Sequence, residues 1–232
     1  MFGLSAFETA ALGLSLKVAF ASILVCLPVG LAAAWLLARV SFPGKSLVDA
    51  LFHLPLVVPP VVVGYLLLVL LGRSGPIGGW LYSTFGISLA FNWKGAAIAA
   101  ALMALPLMVR AMRLSLEAVD HRFEAAARTL GASRIRVFFT ITLPLMAPGI
   151  LAGVVLSFAR ALGEFGATIT FVSNIPGETQ TLPLALYSLA QTPDGELGAM
   201  RLALISIVIA LLALILSEWL SRRLAYSTGA SE

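Results

Sequence analysis

Long runs without a charged residue constrain this chain more than any other feature of its sequence. Residues 18–37 and residues 54–71 contain no Asp, Glu, Lys or Arg. A helix needs about 20 predominantly apolar residues to cross the hydrocarbon core of a bilayer. Because 60% of the 232 residues are hydrophobic and only 11% are charged, the sequence predicts an integral membrane protein and excludes a soluble domain.

The charge-free runs predict about five membrane-spanning helices, and therefore an all-α, polytopic transmembrane helix bundle. Three further runs lie at residues 95–109, 143–159 and 202–217. The helix of the fourth run is expected to continue beyond Arg160 to residue 172. The fifth run is followed by Glu218 and Trp219. Residues 182–190 are also apolar, but so short a helix cannot cross about 30 Å of hydrocarbon. We expect residues 1–232 to form a single transmembrane domain.

Lysine and arginine are unevenly distributed between the predicted loops, and this bias predicts the orientation of the chain, since cytoplasmic loops carry the excess. One set of loops holds Arg39, Lys45, Arg110, Arg113, Arg122, Arg128, Arg134, Arg136, Arg222 and Arg223. The other set holds Arg73, Lys94 and Arg201. We therefore expect the C-terminus inside and the N-terminus outside. The net charge of +4 then reflects topology and gives no reason to expect nucleic-acid binding.

The longest polar interruption, residues 119–140 (the polar segment), is predicted to form two short helices around a glycine. Phe123, Ala127 and Leu130 recur at i, i+4 and i+7, so they share one helix face. Gly131 stands where a glycine often ends a helix, and Ser133 is an N-cap candidate for a second helix over residues 134–139. The sequence thus predicts a compact helix–turn–helix knob between two spans.

The polar segment resembles the cytoplasmic coupling loop of ABC-importer permeases, whose signature is Glu-Ala-Ala-x3-Gly-x9-Ile-x-Leu-Pro. The matching residues are Ala126, Ala127, Gly131, Ile141, Leu143 and Pro144. The sequence departs from the signature at its first position, where Ala125 stands in place of the glutamate. The nearest glutamate, Glu124, lies one residue earlier. The resemblance implies a type I permease fold whose coupling helix docks into a groove on a separate ATPase subunit. The residues implied in docking are Phe123, Glu124, Ala126, Ala127, Leu130 and Gly131. The alternative is an amphipathic segment that lies on the membrane surface.

Four stretches, at residues 42–46, 53–65, 136–144 and 159–179, resemble the permeases of molybdate importers. Sulfate permeases share versions of the last stretch, and tungstate is an alternative substrate. The resemblance implies a homodimer in the bacterial cytoplasmic membrane, two cytoplasmic ATPase subunits that bind ATP and Mg²⁺, and an extracytoplasmic oxyanion-binding protein. This chain itself is expected to contact membrane lipid and to bind no cofactor.

Arg160 and Glu164 are charged residues within the predicted extension of the fourth span. If the helix continues they lie at i, i+4 and can pair, although Gly163 and Gly166 favour a helix break there. Two interpretations remain open: the pair shapes the potential along an anion path, or it is an interfacial pair that stabilises a helix end or a subunit contact. Further candidates for the path are the helix-breaking Pro59 and Pro60 and the neutral donors Thr168, Thr170 and Asn174.

Two alternative functions are disfavoured by the sequence. Residues 44–46, Gly-Lys-Ser, look like the end of a phosphate-binding loop, but Arg39 stands where the first glycine of that motif belongs. The energy for transport must then come from a partner.

An ATP-independent secondary transporter would predict internal repeats of similar spans, and it would leave the knob without a role. His53 and His121 have no metal-ligand spacing around them, so we expect no metal site.

Overall fold

The computed structural model describes the backbone of residues 4–227 and the side chains of residues 4–216 and 219. Every regular element within these residues is a helix. In chain order they are α1 (Ala6–Arg39), α2 (Lys45–Val57), α3 (Pro60–Leu71), α4 (Pro76–Phe85), α5 (Trp93–Glu117), α6 (His121–Thr129), α7 (Arg134–Val137), a π-helical turn (Phe138–Thr142), α8 (Leu143–Leu145), α9 (Ala147–Leu162), α10 (Gly166–Val172), α11 (Leu182–Ala190) and α12 (Glu196–Ser227).

Among the described helices, α1, α5 and α12 are long and apolar enough to cross a membrane individually. Two bent pairs bring the number of spans to five if each pair counts as one: α2 with α3, and the helical stretch 134–145 with α9. The prediction of an all-α bundle with about five spans is therefore confirmed. The short helix α11 packs against α1 and α12.

Helix α5 lies at the centre of the bundle and packs against α1, α9 and α10. Its buried side is rich in alanine, and small side chains allow neighbouring helices to approach closely. Polar groups of the neighbours donate to its carbonyl oxygens: Ser22 Oγ to Ala97 at 2.9 Å and Cys26 Sγ to Ala101 at 3.1 Å. Cys26 is thus a buried packing residue that also joins α1 to α5.

The contact between α5 and α9 depends on two glycines. A Cβ added to Gly149 would lie 2.1 Å from the Cβ of Ser115 and 3.0 Å from the carbonyl oxygen of Ala111. A Cβ on Gly153 would lie 3.2 Å from the sulfur of Met108. The GxxxG step at the start of the fourth charge-free run therefore permits close helix packing.

The second charge-free run is divided between two helices. α2 ends at Val57 and α3 begins at Pro60, and the pair is bent by 112°. Pro59 has no backbone N–H and its ring clashes with a preceding carbonyl, so the helix cannot continue through it. The predicted break at Pro59 and Pro60 is confirmed. α3 then packs against α10, where Gly64 leaves space for the carbonyl of Ala167: a Cβ would lie 2.5 Å from that oxygen.

Three predicted boundaries differ from the structure. α9 ends at Leu162, so the fourth run does not continue as one helix to residue 172. The second helix of the polar segment is four residues long and passes into the π-helical turn, because Pro144 has no N–H for the carbonyl four residues earlier. α12 starts at Glu196 and continues past Glu218.

The early start of α12 places Arg201 inside the helix rather than in a loop. There its Nε lies 3.0 Å from Oε1 of Glu8, a side chain that is 2% exposed. Glu8 also belongs to a capping box with Ser5 at the start of α1. This ion pair joins the first turn of α1 to the last long helix.

Candidate functional site

The polar segment is held by caps at both of its helices. α6 begins after Asp120, whose carboxylate accepts the N–H of Arg122 at 2.8 Å. It ends before Gly131, whose φ of +87° is easy for glycine and costly for other residues. Ser133 Oγ accepts the N–H of Arg136 at 3.3 Å at the start of α7. The predictions for Gly131 and Ser133 are confirmed, whereas the cap at Asp120 was not predicted.

The apolar face of α6 has no cover within the described chain. Phe123 is 58% exposed and Leu130 is 88% exposed, and no residue of α6 is buried. Ala126 is exposed as well, and Ala127 is half-buried. Exposed apolar side chains that are grouped on a polar segment often mark a protein interaction surface.

A second side of α6, next to the apolar face, is tied to the rest of the chain through Glu124. Its Oε1 accepts hydrogen bonds from Arg39 Nη2 at 2.9 Å and from Thr142 Oγ1 at 2.8 Å. The ring of His121 also contacts the guanidinium of Arg39. Glu124 therefore faces its own chain and not the exposed apolar side with Phe123. It joins α6 to the end of α1 and to the π-helical turn.

The second group of predicted residues lies where α9 gives way to α10. Arg160 occupies the last turn of α9, and Glu164 follows the helix end. Arg160 Nη1 lies 2.5 Å from Glu164 Oε2, and Glu164 Oε1 accepts the N–H of Ala167 at 2.8 Å. The Glu164 side chain is 2% exposed and that of Arg160 is 27% exposed. Glu164 thus neutralises Arg160 and also caps α10, across a helix break rather than along a continuous helix.

The structure brings the proline break and this helix break together. A Cβ on Gly166 would lie 2.9 Å from the Cβ of Pro60, so the start of α3 contacts the start of α10. Pro59 precedes α3 as its N-cap residue. Two interrupted helices therefore meet beside the Arg160–Glu164 pair.

Two of the predicted neutral donors, Thr170 and Asn174, make hydrogen bonds within the chain. Thr170 Oγ1 donates to the carbonyl of Gly166 at 2.8 Å, and Asn174 Nδ2 donates to Ser188 Oγ at 2.7 Å. Thr168 is 1% exposed. Asn174 belongs to the contact with α11, away from the Pro60–Gly166 contact. Among the predicted path residues, the fold brings Pro60, Arg160 and Glu164 together at the two helix breaks. Thr170 also faces α3, because a Cβ added to Gly64 would lie 2.9 Å from the Cβ of Thr170.

Two solved structures share this fold. The inward-facing MetNI methionine ABC transporter has a chain of 14% identity and TM-score 0.72, covering 95% of this chain and 99% of that one. A bacterial alginate ABC transporter in complex with a pentasaccharide-bound periplasmic protein has a chain of 18% identity and TM-score 0.73, covering 94% and 80%. The bundle is therefore an ABC-importer permease fold.

The chain belongs to the family of binding-protein-dependent transport system inner membrane components, which residues 26–226 match. It is thus a multi-pass inner-membrane protein of a transport family. The molybdenum transport system permease protein ModB of Escherichia coli K12 is 65% identical over 93% of this chain and 94% of its own length. ModB of Haemophilus influenzae is 61% identical over 96% and 97%. The sulfate transport system permease protein CysW of Synechocystis is 39% identical over 92% and 76%.

Proposed function

We propose that this chain is the permease subunit of an ATP-driven importer that carries molybdate across the inner membrane. The observation that carries the proposal is the 65% identity to a molybdenum permease across 93% of the chain. Sulfate is the weaker candidate, because the sulfate permease is only 39% identical. Tungstate has the same shape and charge as molybdate and remains an alternative substrate.

In this proposal the chain forms one permease domain and works as a homodimer. Each copy contacts one of two cytoplasmic ATPase subunits, which bind ATP and Mg²⁺, while an extracytoplasmic protein delivers the oxyanion. The polar segment and the C-terminus lie inside and the N-terminus outside. The excess of arginine around the polar segment supports this orientation.

The polar segment is the proposed coupling element. Phe123 and Leu130 offer apolar contact to a groove on the ATPase, and their exposure supports that role. Glu124 makes the mechanical connection, because its hydrogen bonds to Arg39 and Thr142 join α6 to α1. Displacement of α6 would then move the end of α1, which packs along the central helix α5.

The proposed translocation path passes the two interrupted helices near Pro60 and Glu164. Irregular backbone at membrane depth is tolerated where it contacts protein or lines a cavity. Arg160 supplies a positive charge that Glu164 neutralises at rest. A site of this kind attracts an anion weakly, which suits conduction because the ion must also leave.

Purification of the tagged chain from its own membranes tests the proposal directly. We expect a stoichiometric ATP-hydrolysing partner. In proteoliposomes with the extracytoplasmic binding protein, molybdate should stimulate ATP hydrolysis and accumulate, and equimolar sulfate should compete poorly. Uptake driven by an ion gradient without ATP would contradict the proposal, and preferential uptake of sulfate would contradict the substrate.

Replacing Gly131 with valine should reduce molybdate uptake severalfold per assembled complex and separate it from ATP hydrolysis. A Cβ at this position meets nothing within 4 Å, so the effect comes from backbone strain alone. A left-handed φ costs an ordinary residue roughly 1–2 kcal/mol, and relief of this strain would change the angle between α6 and α7. Uptake and ATPase rates are measured together on purified complex.

Gly131→Asn is the matched control, because asparagine tolerates the left-handed region. It should retain most of the coupling. Wild-type uptake and wild-type binding-protein-stimulated ATPase in Gly131→Val would refute the role of this turn.

A further inference from the structure

A groove of about 550 Å³ lies between α1 and the helical turn that follows α7. On one side it is lined by Pro28, Leu31 and Trp35, which lie along one face of α1. This face extends about 10 Å along the helix axis at 1.5 Å per residue. The opposite side is formed by Phe138 and Phe139. The groove is thus almost entirely apolar and can accept a segment of a hydrocarbon chain.

A smaller polar pocket continues the groove toward the polar segment. The two share Trp35, Arg134 and Phe138, and the polar pocket is also lined by Arg39, Arg128 and Glu124. Glu124 neutralises Arg39 at 2.9 Å. Within the part of the chain whose side chains are described, neither Arg128 nor Arg134 takes part in an ion pair. The pocket therefore carries an uncompensated positive charge at the end of an apolar groove.

The position of this junction along α1 matches the boundary of a membrane. The charge-free run of α1 ends just before Arg39, and Trp35 is 47% exposed. Tryptophan is enriched at the level of the lipid headgroups. Basic pockets between helices at this level are suited to anionic headgroups.

We propose that the groove and the pocket together bind one anionic phospholipid. An acyl chain lies between α1 and the Phe138–Phe139 turn, and the headgroup phosphate accepts hydrogen bonds from the guanidinium groups of Arg128 and Arg134. The lipid contacts the helix end that Glu124 ties to α6. The bilayer composition would therefore act on the same junction that positions the polar segment.

Quenching of Trp35 fluorescence by brominated lipids tests the site. The full-length permease, with the subunits that copurify with it, is placed in nanodiscs containing either brominated phosphatidylglycerol or brominated phosphatidylcholine at equal mole fraction. The difference between wild type and Trp35→Phe isolates the Trp35 signal. We expect stronger quenching by phosphatidylglycerol, with an apparent preference of about fivefold per arginine, since a basic residue at an anionic surface contributes about 1 kcal/mol.

Arg128→Gln with Arg134→Gln should abolish the preference. Arg136→Gln is the control: it removes one positive charge from α7, the helix that carries Arg134, is exposed and lines neither cavity. Its effect is compared with that of Arg134→Gln alone. Equal quenching by the two lipids would overturn the proposal, as would an equal loss of preference in Arg136→Gln. The proposal would also be overturned if neither brominated lipid quenched Trp35 in the assembled complex. A second copy or a partner subunit would then cover the groove.

Discussion

Gly149→Leu is expected to prevent α9 from packing against α5 and to abolish recovery of a folded permease. Even an added Cβ would lie 2.1 Å from the Cβ of Ser115, far inside contact distance, and 3.0 Å from the carbonyl oxygen of Ala111. Overpacking of a well-packed core typically costs about 1–3 kcal/mol and occasionally more. The clash here is with the Cβ of Ser115, which cannot move without the central helix, and the Ala111 carbonyl crowds the same site. We therefore expect the upper end of this range or beyond.

The effect is measured as the yield of monodisperse protein on gel filtration and as its thermal midpoint in detergent. The hydrogen bond from Ser115 Oγ to the Met146 carbonyl, 3.2 Å long, should be lost with the contact. Gly13→Leu is the matched control, because a Cβ on Gly13 has nothing within 4 Å. Gly153→Ala should be intermediate, since its Cβ would lie 3.2–3.4 Å from neighbours. Equal stability of Gly149→Leu and Gly13→Leu would contradict the close packing of α5 and α9.

The features that the sequence predicted well are those that depend on local chemistry. A proline pair interrupts a helix whatever surrounds it, so the break at Pro59 and Pro60 could be read from two residues. Gly131 and Ser133 could likewise be recognised as a helix end and a helix start, because capping depends on the residues immediately around them. The apolar periodicity of α6 was also correct, with Phe123 on the exposed face.

The features that the sequence did not predict depend on contacts between distant segments. Arg39 and Glu124 are 85 positions apart, and no periodic pattern connects them. The sequence shows only an arginine at the end of one span and a carboxylate in the polar segment, and these two residues alone do not indicate that they pair. Glu164 was recognised as a partner of Arg160 but not as a cap for α10, because the position of the helix break decides which N–H groups are free. The continuation of α12 past Glu218 shows that a charge ends a hydrophobic run without ending a helix.

Arg160→Gln is expected to lower both the amount of assembled complex and the molybdate uptake of the complex that remains. Glu164 would be left as a carboxylate that is 2% exposed, retaining only the N–H of Ala167. Removing one partner of a buried ion pair typically costs about 3–5 kcal/mol. Because Arg160 is itself 27% exposed, we expect a cost somewhat below that range. The unpaired carboxylate would also repel a dianion in the proposed path.

The single and double variants separate the structural role of this pair from a role in transport. Glu164→Gln should be milder than Arg160→Gln, since the glutamine carbonyl can still accept the Ala167 N–H and Arg160 is partly exposed. Combining the two changes should restore much of the assembly and part of the uptake, because no unpaired buried charge then remains at this helix break. Assembly is measured as purified complex per membrane mass, and uptake is normalised to it in proteoliposomes.

A purely structural pair would change assembly in all three variants and leave normalised uptake at the wild-type value. Normalised uptake that falls in Arg160→Gln and rises again in the double variant requires that the charge of Glu164 acts on the anion itself. Because Glu164 lies beyond the end of α9 and beside the Pro60–Gly166 contact, its charge sits where two interrupted helices meet. Unchanged normalised uptake in Arg160→Gln would leave the pair as a cap and nothing more.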